Sequence, residues 1–238
     1  MKLRLLAAAL TAVIPMSAVL TAGTASAQDT ASDKGKLSYA LGYDLGRNLV
    51  ESGEQVDLAT VYKGVQDGFG KKQPTVPVEQ LRTAVQAMQQ RQLAKAKAQF
   101  DKASAENKTK SDAFLAQNKA KAGVKSLPSG VQYREVEKGS GAKPNQNSDV
   151  QLQYKGSLPD GRTFVDTNTP QQGQPAGPVT MKVSQIPLTG LREALVMMPA
   201  GARWEVVLPA DKAYGNTPQS PIGPNQAVLF DVKLVSVK

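Results

Sequence analysis

The chain has 238 residues, of which 40% are hydrophobic and 21% are charged, a composition typical of a folded globular protein. It contains no cysteine and no histidine, which excludes disulfide bonds, thiolate nucleophiles, a Ser-His-Asp triad and a His-Glu-x-x-His zinc site. The formal net charge is +9. The positive charges are scattered through a lysine-rich segment and not interleaved with aromatic residues, which argues against nucleic acid as a partner.

The start of the chain has the pattern of a cleaved signal peptide. Two basic residues precede a mostly apolar run over residues 5–20, and Ala25-Ser26-Ala27 fits a small-x-small cleavage site. An uncleaved membrane anchor is the alternative, but the run contains Pro15 and is short for a span of roughly 20 residues. We therefore predict a signal peptide over residues 1–27 and an exported, periplasmic protein, with outer-membrane association as an open alternative.

The next segment predicts two short helices. Residues 28–36 are small, polar and charged, which indicates a disordered mature N-terminus. Leucines then recur at every fourth position from residue 37 to residue 49, as on one face of a helix. Asp57 is a candidate N-cap for a second helix that ends at Gly70. Because two such helices bury little apolar surface alone, the helical domain predicted over residues 37–76 needs a partner surface.

A long connecting helix is predicted over residues 77–122. The chain there is rich in Ala, Gln, Lys and Glu, and after Pro77 it has no proline or glycine before Gly123. Its apolar positions form a stripe only near the start, at Leu81, Val85 and Met88. We therefore expect the second half of this helix to stand in solvent and the whole helix to connect two domains.

The remaining residues, 123–238, have the pattern of short strands around one short helix. Asp160-Gly161 predicts a tight turn, and residues 191–198 predict the helix. We predict an α+β fold with a curved antiparallel sheet wrapped on that helix. The segments that alternate apolar and polar residues, as strands with one buried face do, are 131–136, 150–154, 204–208 and 228–234.

Several stretches, taken in order, are similar to one known family. In the C-terminal half they are residues 127–133, 150–158, 160–164, 198–201, 208–215 and 222–230. This half resembles the FKBP-type peptidyl-prolyl cis-trans isomerases. In the N-terminal half, residues 37–46, 106–108 and 113–115 are similar to the helical dimerisation domain of the macrophage infectivity potentiator group.

The resemblance implies an isomerase that rotates X-Pro bonds in unfolded or exported proteins, with no cofactor and no metal. It also implies a homodimer through residues 37–76 with chaperone activity, and it makes macrolide inhibitors candidate ligands. Rotation of an amide must cross about 18–20 kcal/mol but breaks no bond. A dry aromatic pocket that favours the twisted amide can therefore catalyse it without a histidine.

By the same resemblance, one proline pocket gathers eight residues. The Tyr214 hydroxyl and the Leu188 backbone N–H would hold the carbonyls of the ligand, and the other side chains would supply shape. Two positions depart from the family pattern, because Leu191 stands where a tryptophan is usual and Val165 separates the aromatic residue from the acid. The full set is Tyr154, Phe164, Asp166, Leu188, Leu191, Tyr214, Ile222 and Phe230.

Two other readings stay open at this point. Tyr154 and Phe230 fall on predicted buried strand faces, where aromatic residues are often only structural. With a leucine as its floor, the pocket could belong to a non-catalytic FKBP-like holdase for unfolded periplasmic clients. A secreted virulence or surface-interaction protein is compatible with either activity.

Overall fold

The computed structural model describes residues 29–170 and 175–238, so the predicted signal peptide lies outside the described residues. The chain divides into two compact units, with the boundary between Thr75 and Val76. None of the helices within the two described ranges combines the length and the apolar character that a membrane span requires.

The first unit contains helices α1, Asp33–Ser52, and α2, Leu58–Phe69. Asp57 caps α2 as predicted, because its carboxylate accepts a hydrogen bond from the Thr60 N–H at 2.7 Å. The helix α1 starts earlier than predicted, so the end of the stretch expected to be disordered is helical. The reason is a local cap, in which the Ser32 hydroxyl accepts from the Gly35 N–H at 3.0 Å.

The long helix α3 spans Val78–Lys119 and belongs to the second unit. The long helix predicted from the sequence is present, but the expectation that its second half stands in solvent is wrong for one face. Ser104, Ser111 and Asn118 are buried, and their seven-residue spacing places them on one face of the helix. The spacing of apolar residues does not reveal this face of α3, because its buried side chains are small and polar.

Within the described residues, the second unit also contains a seven-stranded antiparallel sheet, which confirms the predicted α+β class. Its strands are β1 Lys125–Ser126, β2 Gln132–Glu137, β3 Asp149–Ser157, β4 Thr163–Asp166, β5 Val179–Lys182, β6 Arg203–Leu208 and β7 Val228–Val237. Its strand order is β1-β2-β6-β7-β3-β4. The strand β4 pairs with the C-terminal part of β3, and β5 pairs with the N-terminal part of β3. The sequence prediction missed three strands, β1, β4 and β5, which are short.

The short helix α4, Thr189–Leu195, packs against the core face of the sheet. Leu191 and Leu195 are buried in the same apolar cluster as Phe230 of β7. Gly190 permits this close packing, because a Cβ there would lie 2.8 Å from the Leu208 side chain. The helix α4 therefore contributes Leu191 to the apolar core that covers one face of the sheet.

Candidate functional site

Four aromatic side chains from different parts of the second unit meet in one cluster. Tyr154 lies on β3, Phe164 on β4 and Phe230 on β7, whereas Tyr214 lies in the loop between β6 and β7. Phe164 contacts Phe230 and Tyr214 with ring centroids 5.7 Å and 5.8 Å apart and interplanar angles of 89° and 82°. Tyr154 contacts Phe230 at 6.2 Å and 61°. All three contacts have the edge-to-face geometry that aromatic rings favour.

The aromatic cluster adjoins an apolar floor. Phe230, Leu188 and Leu191 are only 2–5% exposed. Tyr154, Phe164, Tyr214 and Ile222 are half-buried and pack against the same core. The structure thus brings seven of the eight predicted site residues into one apolar region, in which three are buried and four are half-buried.

The two tyrosine hydroxyls of this region remain protonated at neutral pH. Burial raises the pKa of Tyr154 and of Tyr214 above the usual value, and for Tyr214 the neighbouring Tyr154 adds to the rise. Because an ordinary tyrosine has a pKa near 10, both groups are neutral hydroxyls that can donate a hydrogen bond. Within residues 29–170 and 175–238, the Tyr214 hydroxyl and the Leu188 N–H make no hydrogen bond, so both are available to a ligand.

Asp166 is the predicted site residue that the structure does not bring to the aromatic cluster. It pairs across the strands with the exposed Lys155, and cross-strand partners share a face of the sheet. Its carboxylate instead accepts hydrogen bonds from the backbone and side chain of Asn168, both at 2.9 Å. The bond from the Asn168 backbone lowers the pKa of Asp166, with a smaller contribution from Lys155.

A β-bulge explains this displacement. Gly156 pairs with Val165 and Ser157 pairs with Thr163, which leaves Phe164 as the extra residue of β4. Both Phe164 and Val165 pack against the core. The bulge therefore keeps Phe164 in the aromatic cluster and places Asp166 on the outer face of the sheet.

Gly156 was not among the predicted site residues, but it controls the packing of the aromatic rings. A Cβ at this position would lie 2.8 Å from both Phe164 and Phe230 and 2.7 Å from Val165. Such distances force the neighbouring side chains to move. A glycine within a strand pattern is a signal of close approach, and that signal could have identified the position from the sequence.

The substitution Gly156→Ala should lower kcat/KM for an X-Pro peptide about fivefold, because displaced rings no longer close on the proline. The fold should persist, as monitored by the fluorescence of the single tryptophan, Trp204. Gly64→Ala in α2 is the matched control, since a Cβ there meets nothing within 4 Å. Full activity of Gly156→Ala would contradict the importance of this packing.

Comparison with known proteins matches two consecutive segments of the chain to known domains. Residues 34–134 match the domain amino terminal to FKBP-type peptidyl-prolyl isomerase, and residues 140–235 match the FKBP-type peptidyl-prolyl cis-trans isomerase domain. The chain is 43% identical over 241 residues to the outer membrane protein MIP of Legionella longbeachae, covering 100% of this chain and 99% of that protein. It is 32% identical to the FKBP-type 22 kDa peptidyl-prolyl cis-trans isomerase of Escherichia coli, covering 84% and 93% of the two chains.

A solved structure agrees with these sequence relationships. The crystal structure of FkpA from Escherichia coli matches with a TM-score of 0.65 and 30% identity, covering 87% of this chain and 98% of that chain. The chain belongs to the FKBP-type peptidyl-prolyl cis-trans isomerases.

Proposed function

We propose that the aromatic cluster is the site at which this isomerase rotates X-Pro bonds, and that its physiological substrates are exported proteins during folding. The observation that carries this proposal is the edge-to-face contact of Phe164 with both Phe230 and Tyr214, beside the buried Leu188 and Leu191. These side chains provide an apolar surface against which a proline ring can pack. The free Tyr214 hydroxyl and Leu188 N–H provide neutral donors for the adjacent carbonyls.

The proposed mechanism uses binding and desolvation, without any covalent step. Contact with the rings removes water from the X-Pro amide, whose resonance is stabilised by hydrogen bonds to its carbonyl. Donation from the Tyr214 hydroxyl and the Leu188 N–H to flanking carbonyls would hold the peptide while the bond turns. The twisted amide fits better than either planar form, and this difference in binding lowers the barrier.

The experiment is catalysis of cis-trans isomerisation in a short Leu-Pro peptide by the purified protein, alongside proline-limited refolding of an unfolded protein. We expect both to be accelerated at substoichiometric amounts of enzyme. The absence of acceleration, together with suppressed aggregation only near equimolar ratios, would indicate the holdase and contradict this site. Leu191 in place of the usual tryptophan makes this a necessary test.

We also propose that the first unit pairs two copies of the chain. No residue of α1 is buried within the described chain, although the helix carries large apolar side chains. Leu37, Leu41 and Tyr43 are 58–64% exposed, and Phe69 of α2 is 92% exposed. A second copy would cover these surfaces, because isolated monomers rarely leave such contiguous apolar area in water.

A groove in the first unit supports this pairing. It has a volume of about 1460 Å³ and lies along α1 and the segment leading into α2. Glycines on its α1 side permit close approach of another helix. Its apolar and small residues include Tyr39, Gly42, Tyr43, Gly46, Val50 and Tyr62. A homodimer would hold two isomerase domains for one client, and this arrangement raises the effective concentration of the second contact.

The substitution Leu41→Glu should dissociate the dimer, because a charge would be placed in the proposed interface and desolvated. Analytical ultracentrifugation would show a monomer, with kcat/KM for a short peptide within about twofold of the wild type. Ala40→Glu is the matched control, since Ala40 lies one turn from both Lys36 and Asp44 on the polar side of α1. A dimeric Leu41→Glu protein would exclude this interface.

We propose a periplasmic location with cleavage of the predicted signal peptide. The name of the Legionella longbeachae relative, an outer membrane protein, supports a place in the cell envelope. Cell fractionation, with mass determination of the mature N-terminus, would test both the location and the cleavage after Ala27.

A further inference from the structure

The loop between β6 and β7, residues 209–227, carries two residues of the aromatic site and is attached to α3 by hydrogen bonds. The loop contains Tyr214 and Ile222. One polar face of α3 supplies the partners. The Ser104 hydroxyl donates to Asn216 Oδ1 at 2.9 Å, Asn107 Nδ2 donates to the Pro224 carbonyl at 2.9 Å, and the Ser111 hydroxyl donates to the Asn225 carbonyl and accepts from the Ala227 N–H, both at 2.8 Å.

The attachment points lie next to the site residues. Asn216 is two residues after Tyr214, and Pro224 is two residues after Ile222. Asn225 closes the inner part of the loop, residues 215–225, because its N–H donates to the Gly215 carbonyl at 3.1 Å. The helix therefore holds the loop on the C-terminal side of each site residue, through the Asn216 side chain and the Pro224 carbonyl.

Asn225 is itself held by the helix in an unusual conformation. Its φ is 52°, in the left-handed region that asparagine tolerates better than most residues. Its side-chain amide donates to the Ser104 hydroxyl at 2.8 Å. Ser104 thus bonds to the loop on both sides of the segment that carries Ile222.

We propose that Ser104, Asn107 and Ser111 are positioning residues for the isomerase reaction, which act by fixing the loop that carries Tyr214 and Ile222. This inference rests on the proposed site. A long loop without strands of its own can move relative to the sheet, whereas catalysis by a shaped pocket requires its wall to stay in place. Because hydrogen bonds are directional, these polar contacts define the position of the loop more narrowly than an apolar contact would.

The test uses the full chain with Ser111→Ala, which removes both a donor and an acceptor at a residue only 3% exposed. We expect kcat/KM for a short Leu-Pro peptide to fall about tenfold, since small misplacements in a site are costly. Asn107→Ala, which removes one bond, should lower it about threefold. Thr109→Ala is the matched control, because Thr109 is exposed and its hydroxyl donates to the Ala105 carbonyl of the same helix.

A double-mutant cycle separates positioning from simple stabilisation. In a Tyr214→Ala background, Ser111→Ala should lower kcat/KM less than about threefold, because the Tyr214 side chain that Ser111 helps to position is already absent. Fluorescence of Trp204, which is buried and stacks on Tyr133, reports whether each variant is folded.

Unchanged kcat/KM in Ser111→Ala, or the same factor lost in both backgrounds, would overturn the proposal. If Ser111→Ala does not fold, Asn107→Ala and Ser104→Ala decide it by the same two criteria. A wild-type protein without peptide activity would instead overturn the proposed function, so the two failures are distinguishable.

Discussion

The substitution Phe230→Leu is expected to lower kcat/KM for a short X-Pro peptide about 30-fold. Phe230 contacts both Tyr154 and Phe164 edge to face, and each such pair contributes about 0.5–1.5 kcal/mol beyond its buried area. Loss of about 2 kcal/mol of transition-state binding corresponds to this factor. The measurement is isomerisation of a Leu-Pro peptide, with the oligomeric state of the variant compared with that of the wild type by ultracentrifugation.

Leu234→Val is the matched control for this substitution. Leu234 lies on β7 like Phe230, is fully buried and pairs with Leu152 away from the aromatic cluster. Removal of one methylene there costs about 1 kcal/mol of stability but should leave kcat/KM within twofold. Equal activity in Phe230→Leu and Leu234→Val would show that the site lies elsewhere.

A pair of truncations should separate the contributions of the first unit and of α3. A chain starting at Val76, which lacks the first unit, should be a monomer with peptide activity within about twofold of the wild type. Its rate on an unfolded protein should fall more than about tenfold, because the second contact of the proposed dimer is lost. A chain starting at Lys121 should also lose about tenfold in peptide activity, since it lacks the polar face of α3.

Removal of α3 in the chain that starts at Lys121 leaves particular buried polar groups of the second unit without their hydrogen-bond partners. Gln132 of β2 accepts from the Asn118 amide and donates to the Leu115 carbonyl, both at 3.0 Å. The Ala227 N–H loses its acceptor, Ser111. Trp204 fluorescence during urea unfolding should therefore show lower stability for the chain from Lys121 than for the chain from Val76. Equal stability and activity of the two truncations would contradict a role for α3 in the second unit.

Local pattern predicted most of the regular elements. Asp57 identified the start of α2, and the absence of proline and glycine identified the length of α3. Both depend on residues close in sequence, where capping and backbone propensity act directly. The short strands β4 and β5 escaped prediction because each has only four residues and is defined by its pairing with β3.

The aromatic site was predicted from family resemblance, and the position of one member differs in the structure. The sequence shows Val165 beside Phe164, but it does not show which residue of the strand is left unpaired in a bulge. Pairing of Gly156 with Val165 decides this, and Asp166 is left on the outer face. A shift of one residue reverses the faces of a strand, so a local change in register has a large effect on a side chain.

The amino-acid sequence by itself determined the chemistry open to this protein and the family to which it belongs. Without cysteine or histidine, this chain cannot use thiolate or imidazole chemistry. The tertiary structure alone decided which small polar residues of α3 reach the loop of Tyr214 and how closely Gly156 admits the aromatic rings. Such contacts join residues far apart in the chain, with separations of more than 100 residues between α3 and the loop. No local pattern encodes them, because serine and asparagine on an exposed helix and at a buried contact look the same in sequence.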